Sequence, residues 1–526
     1  MTRNYPQTNV NSSTSLAGQD QSRLALESER QPEQINEKRD DPHRLAREFI
    51  DLKQTRNGVR CIHFWRGEFH VWEGSRYRPV PEKELRGKLV AHVRSQFERH
   101  AREKAALVKS DKEDQPTIEK VTRSLIANVV QALESLCLLG FDVPQPTWLG
   151  CDPSPFDPGK VFATRNLLLD LPALVRGEAR MIGPTPEFFS PNAVEYEFDL
   201  EADCPQWLAF LESVFGTDEE SVAALQEFFG YCLLPDTSQH KLAMLIGPKR
   251  SGKGTIAHIL RLLIGESNLA TPTLDSLGRQ FGLWPLLGKT LAIIGDARLS
   301  GRADGVAIVE RLLSISGEDF QDVDRKSLQP LTGIRLPVRF FILTNELPNL
   351  TDASGAIMSR VLLIRMTESF LGKEDRRLKE KLDTELPGIL NWAIAGWQRL
   401  QKRGCFQQPE TGQELVDDLA NIASPVTGFA SDCCIVSPDQ SASLSDLFAA
   451  WKGWCELHGR DHTGTEANFA KQLRAAFPTL STSRPRTKGS EQRVRVYEGI
   501  GLKEDFPSPG TGWDRSQSNA RDAQFF

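Results

Sequence analysis

Gly247-Pro248-Lys249-Arg250-Ser251-Gly252-Lys253-Gly254-Thr255 has the spacing of a phosphate-binding loop. It follows the apolar run 242–246 and precedes an apolar helical pattern at Ile256, Ile259, Leu260 and Leu263. Strand, glycine-framed turn, then helix is the context such a loop requires. Its backbone N–H groups aim at phosphate oxygens, and the helix N-terminus adds partial positive charge. Lys253 is placed to reach the β- and γ-phosphates of ATP. One position departs from the pattern: Gly254 stands where Ser or Thr ordinarily follows the lysine, and Thr255 comes one place later. Thr255 is therefore the hydroxyl expected at Mg²⁺, directly or through water. Without that chemistry, the same residues make a glycine-rich turn between core elements.

Further polar residues recur after apolar runs. Leu291-Ala-Ile-Ile-Gly295-Asp296 delivers a carboxylate at the end of an apolar strand, the edge on which an open α/β sheet binds its ligand. Asp296 there suits Mg²⁺ on the nucleotide phosphates; alone, such an Asp also caps helices. Asp304 or Glu310 is the candidate second acid. Arg339-Phe-Phe-Ile-Leu-Thr344-Asn345-Glu346 ends a second strand, placing Asn345 for the γ-phosphate or the lytic water, or simply for a turn. Arg360 precedes a third strand, with Arg365 its competitor. An arginine lent to a neighbour's nucleotide contributes on the order of 10³-fold or more in rate. Between these, the stretch 316–326 reads as an exposed hairpin with Arg325 and Lys326 at its tip, set for a DNA phosphate or for solvent.

The elements around these residues set the domain plan. The chain has 526 residues and a formal charge of −6, which excludes a globally basic nucleic-acid coat and makes any DNA contact local. Nine cysteines without a CxxC pair argue for reduced thiols rather than disulfides or a zinc ribbon. No apolar run approaches the length of a membrane span, so no membrane partner and a cytoplasmic location are expected. Residues 1–42 and 504–526 read as disordered. Residues 43–235 read as a small, mostly helical α+β domain with a β-meander, in which Trp65, Phe69 and Trp72 are either hairpin core or a base-stacking platform. Alternating strands and helices over 236–403 indicate a largely parallel α/β unit. A polar linker is expected over 404–430. The stretch 431–503 combines two amphipathic helices with a basic hairpin carrying Arg484, Arg486, Lys488, Arg493 and Arg495. Lys471 and Arg474 point outward from the second helix.

The order of phosphate loop, Asp strand, Gly-Glu-Asp…Arg-Lys hairpin, Thr-Asn-Glu strand and following Arg resembles superfamily 3 helicases. More narrowly it is similar to the helicase portion of phage and plasmid primase–helicases. Asn166-Leu-Leu-Leu-Asp170, Cys204-Pro205-x-Trp207-x-x-Phe210-Leu211 and Leu225-Gln226-Glu227-Phe-x-Gly230-Tyr231 resemble that family's helical region before the helicase. The stretch 431–503 is similar to its terminal winged helix. The resemblance implies an AAA+ P-loop NTPase core in a ring, usually a homo-hexamer, with ATP and Mg²⁺ between subunits. Lys253, Thr255, Asp296 and Asn345 would then act in cis and Arg360 in trans. Lys326 would grip single-stranded DNA in the pore, the winged helix would hold duplex, and travel would run 3′ to 5′. No primase active site is recognised, so a separate primase is a possible partner. Two alternatives remain: a nucleotide kinase, whose loop also reads Gly-Lys-Gly-Thr, and a DNA-binding ring that uses ATP only to assemble.

Overall fold

The computed structural model describes residues 37–107, 117–150, 153–297, 304–348, 350, 355–458, 463–483 and 495–503. They divide into two compact units, the first holding the described residues up to Val71 with Pro79–Val143, the second Trp72–Arg78 and the described residues from Pro144 onward. In the first unit the helices Pro42–Lys53 and Arg123–Cys137 and the strand Ile62–Trp65 close over Leu45, Phe49, Ile62, Val129 and Leu133. Asp41 caps the first helix, its Oδ1 accepting from the Arg44 N–H at 2.9 Å. Phe69 joins this core, and Trp65, Phe69 and Trp72 are at most 8 % exposed, so these rings offer no open stacking platform. The expected helical domain of 43–235 ends, as a compact unit, at Val143.

The helices Pro205–Phe215 and Glu219–Tyr231 belong instead to the second unit. Trp207, Phe210, Phe228 and Phe229 share one core with Ile256, Ile259 and Leu260 of the helix that follows the phosphate loop. The reason is close helix packing. A Cβ at Gly230 would lie 2.4 Å from the Ala393 carbonyl oxygen, and one at Gly396 equally near that of Gln226, so Glu219–Tyr231 meets Leu386–Arg403 backbone to backbone. Buried Glu227 seals the contact, accepting from Arg399 at 2.6 Å and from Arg403.

This unit is built on five parallel strands in the order Leu269–Ala270, Leu291–Ile294, Arg339–Thr344, Leu242–Ile246, Val361–Arg365. Side chains alternate between two covered faces. Ala243, Leu245, Phe341, Leu343, Leu362 and Ile364 face the helices Lys253–Ile264, Pro205–Phe215 and Leu386–Arg403. Met244, Ile246, Phe340, Ile342 and Leu363 face Gly305–Ser316 and Glu410–Ala423. Burial on both faces is why the strands read as unbroken apolar runs. From Leu242–Ile246 the chain crosses to the far edge, steps back inward through the next two strands, and then passes to the other side of its starting strand. That reversal opens a crevice at the carboxyl edge.

Residues 404–430 are not an extended linker. Glu410–Ala423 is a helix whose Leu415, Val416 and Leu419 pack on the second sheet face. Its flanking Pro and Gly masked that helical spacing. The C-terminal part starts at Pro425 rather than 431: helix Pro425–Cys433, strand Cys434–Ser443, helices Leu444–Leu457 and Glu466–Ala476, then strands Ser481–Ser483 and Val496–Leu502. The strands form one antiparallel sheet with Val496–Leu502 central, over a core of Phe429, Trp451, Trp454 and Phe469. Residues 1–36, 484–494 and 504–526 lie outside the described residues, and with them most of the expected basic hairpin and of both expected disordered ends. Among the described residues no helix is long and apolar enough to cross a membrane.

Candidate active site

The strand Leu242–Ile246 runs into the loop, and the helix Lys253–Ile264 leaves it. Two glycines are required for different reasons. Gly252, the helix N-cap, has φ +97°, a backbone that L side chains rarely adopt. Gly247 lies against the next chain segment, where a Cβ would stand 2.4 Å from the Met366 carbonyl oxygen. Gly254 answers to neither demand, since a Cβ there would meet nothing within 4 Å. Lys253 folds back over the loop: its Nζ donates to the carbonyls of Gly247 and Pro248, both at 2.7 Å, and to Ser251 Oγ at 3.1 Å. Burial pushes the pKa of this ammonium below its ordinary value, a cost that an anionic ligand would offset.

A cavity of about 930 Å³ opens beside the loop, lined by 249–255 and by Asn345. Two further segments complete it, and neither was flagged as site-forming in the sequence. Phe210 of Pro205–Phe215 packs its ring on Gly252, and Gln206, Ala209 and Ser213 follow it along the wall. Opposite, Phe370, Lys373, Arg376 and Lys379 come from the segment after the last strand. That segment is fastened to the loop: Phe370 N–H donates to the Arg250 carbonyl at 3.0 Å, Ser369 Oγ to that of Lys249 at 2.9 Å, and Arg250 pairs with Glu374 at 3.5 Å. The run of cations after the final strand was the one sequence signal for this wall. Seven cations, from Lys249 to Lys381, and two acids, Glu374 and Asp375, line this cavity, an excess of positive charge that suits an anionic ligand.

Asp296 is exposed, two residues beyond Leu291–Ile294. Ile294 is level with Ile342, and Ile342 with Met244, so Asp296 reaches the row of Thr344 and Ile246. It stands two strands from the loop, on the same edge, and is not among the residues lining the cavity. Asp304 caps the helix Gly305–Ser316, accepting from the N–H groups of Val306 and Ala307 at 3.1 Å. Glu310 is exposed on that helix. Asp296 and Thr255 carry the hard oxygens that Mg²⁺ takes, and an ion that keeps several waters and binds phosphates would have to span the gap between them. Among the described residues no group of three His, Cys, Asp or Glu side chains forms a metal cage.

Arg360 is elsewhere. Val361 pairs in register with Leu242, so Arg360 sits at the amino edge, roughly 16 Å of strand away from the loop. Its Nη1 donates to Ser316 Oγ at 3.3 Å. Arg365 is at the carboxyl edge, level with Ile246, and pairs with Glu414 at 3.6 Å. The hairpin Gln321–Arg325 and Leu328–Ile334 turns at Lys326-Ser327. Arg325 is committed to the Gln329 carbonyl at 3.0 and 2.8 Å, whereas Lys326 is exposed in the turn. Lys471 and Arg474 are exposed on Glu466–Ala476, whose Phe469 and Leu473 are buried. Arg495 lies over the Tyr497 ring at 6.0 Å. Arg484, Arg486, Lys488 and Arg493 lie outside the described residues.

Residues 245–360, from within the loop strand to Arg360, match a family of unknown function (DUF5906). Among solved structures, the A form apo structure of the NrS-1 C-terminal region is similar at 12 % identity and a TM-score of 0.44, covering 89 % of this chain and 100 % of that one. An apo structure of NrS-1 residues 305–718 gives 11 % identity and the same TM-score, covering 88 % and 99 %. A likeness of this size transfers neither an activity nor a ligand.

Proposed function

We propose that this chain is an ATP hydrolase that unwinds DNA as a ring, in the replication of a phage, a plasmid or an integrated element. The observation that carries the reading is the division of labour across one parallel sheet. Its carboxyl edge gathers the loop 247–255, Asn345 and Asp296, while Arg360 lies at the amino edge, beyond reach of its own chain's phosphates. Arg250 and Arg376 of the same chain line the cavity, but Arg360 could act on a nucleotide only from a second copy, which favours an AAA+ ring, with a hexamer the expected size.

In this reading the loop N–H groups and Lys253 hold the β- and γ-phosphates. Asn345, on the wall of the cavity, orients the γ-phosphate or the attacking water. Asp296 and Thr255 would hold the Mg²⁺ that offsets phosphate charge. Arg360 of the adjoining copy stabilises charge in the transition state. Lys326, in the hairpin turn, takes the phosphates of single-stranded DNA. The C-terminal order of helix, strand, two helices and two strands supports a winged helix, with Lys471, Arg474 and Arg495 turned to duplex phosphates.

The test is strand displacement on a forked duplex with ATP. Lys253→Ala is expected to lose both hydrolysis and unwinding, and Lys326→Ala to lose unwinding while keeping hydrolysis. Normal unwinding by Lys326→Ala removes the hairpin from the mechanism. Phosphoryl transfer from ATP to AMP without unwinding would establish the kinase alternative, and ATP-dependent assembly on DNA without strand displacement the ring that merely binds.

A further inference from the structure

Hydrolysis is assisted by a residue that takes a proton from the attacking water or positions it, and a carboxylate besides the one that serves the metal can do this. The sheet edge narrows the choice. Asp304 is a helix cap, Glu374 is paired with Arg250, and Asp375 accepts from Lys381 at 2.8 Å. Glu346 is exposed in the turn after Arg339–Thr344, the strand that lies between the loop strand and the one leading to Asp296. Among the described residues its carboxylate has no hydrogen-bond or ion-pair partner. Thr344 Oγ1 fastens that turn, accepting from the Glu346 N–H at 3.3 Å and donating to the Glu346 carbonyl. With neighbouring strands about 4.8 Å apart, the turn stands directly between the loop and Asp296. It also carries Asn345, which already lines the cavity.

We propose that Glu346 is the general base of the reaction, an inference that rests on the ATP-hydrolase reading. Its carboxylate takes one proton from the water whose oxygen attacks the γ-phosphorus. The bond from that phosphorus to the β,γ-bridging oxygen breaks, and the oxygen leaves with its electron pair on ADP. Glu346 then gives the proton to solvent. Asp296 is left to the metal, and the missing acidic pair is restored across two adjacent strands rather than along one.

The experiment compares ATP turnover and fluorescent-nucleotide binding in the full chain and its Glu346→Gln, Asp296→Asn and Glu310→Gln forms. Glu346→Gln is isosteric at an exposed turn. It is expected to bind nucleotide with unchanged Mg²⁺ dependence while kcat falls about 10²–10⁴-fold, with the acid limb of the kcat–pH profile lost. Asp296→Asn is expected to shift the Mg²⁺ dependence of binding itself. Wild-type turnover by Glu346→Gln, or loss of turnover in Glu310→Gln instead, overturns the assignment of the base alone. Absence of ATP turnover in the unaltered chain overturns the parent reading with it.

Discussion

At the carboxyl edge of the parallel sheet the strands end in exposed turns carrying Lys249, Arg250, Asp296, Asn345 and Glu346. At the amino edge the cations are occupied by the chain itself. Arg339, 1 % exposed, donates to the Cys232 carbonyl at 2.7 Å and to that of Pro337 at 3.3 Å. Lys241 donates to the Ser359 carbonyl at 2.7 Å. Arg360 differs from both, being half-buried and, among the described residues, donating to a hydroxyl at 3.3 Å. The contrast separates charges buried to hold the fold together from charges exposed at the carboxyl edge, where Arg250 already pairs with Glu374. Among the described residues of the amino edge, Arg360 is held more weakly than Arg339 or Lys241, which leaves it open to recruitment by a second molecule.

The strongest way to break this contrast is Arg360→Ala. ATP turnover should fall about 10³-fold or more while nucleotide affinity is retained. Mixing these chains with Lys253→Ala chains should recover part of the activity, because some sites then pair an intact loop with an intact arginine. A mixture that stays inactive would show that the two edges never meet. Arg339→Met at the same edge should behave oppositely, costing about 1–3 kcal/mol in urea unfolding as two carbonyls lose their donor, with turnover per folded molecule unchanged. Within the loop, Gly247→Ala should cost about 1–3 kcal/mol because its Cβ is driven onto Met366. The smallest effect belongs to Gly254→Ala, neutral to about 1 kcal/mol stabilising in thermal melts. Gly254→Ser should also lower the Mg²⁺ concentration needed for turnover, sharpening the role left to Thr255.

Local signals made the carboxyl edge legible. The strands expected to end near Ile246, Ile294 and Thr344 do so, because full burial leaves apolar runs that polar residues interrupt sharply. The hairpin was signalled by a glycine and mixed charge over 316–326, which located the turn at Lys326 but not the arms: Ser316 ends a helix, and the second strand is Leu328–Ile334. Phe210 and Phe370 were not legible as cavity walls. Each is an aromatic among aromatics, and 160 residues of chain separate them, so only packing brings them together. The helix Glu410–Ala423 was hidden by its flanks, and the boundary at Val143 by helices whose apolar faces fit either neighbour equally well on composition. Glu346 went unnoticed because a glutamate before Leu-Pro looks like any turn residue until its strand is found between two others.

Lys253 already holds three oxygens of its own chain. An arriving polyphosphate therefore does not fill a void; it must take the ammonium away from two carbonyls and a hydroxyl. Affinity then measures an exchange between two sets of acceptors, and a lone small anion gains little from that trade. The resting loop is closed upon itself, and a ligand with several linked charges, competing at more than one point, opens it more readily than a single small anion does.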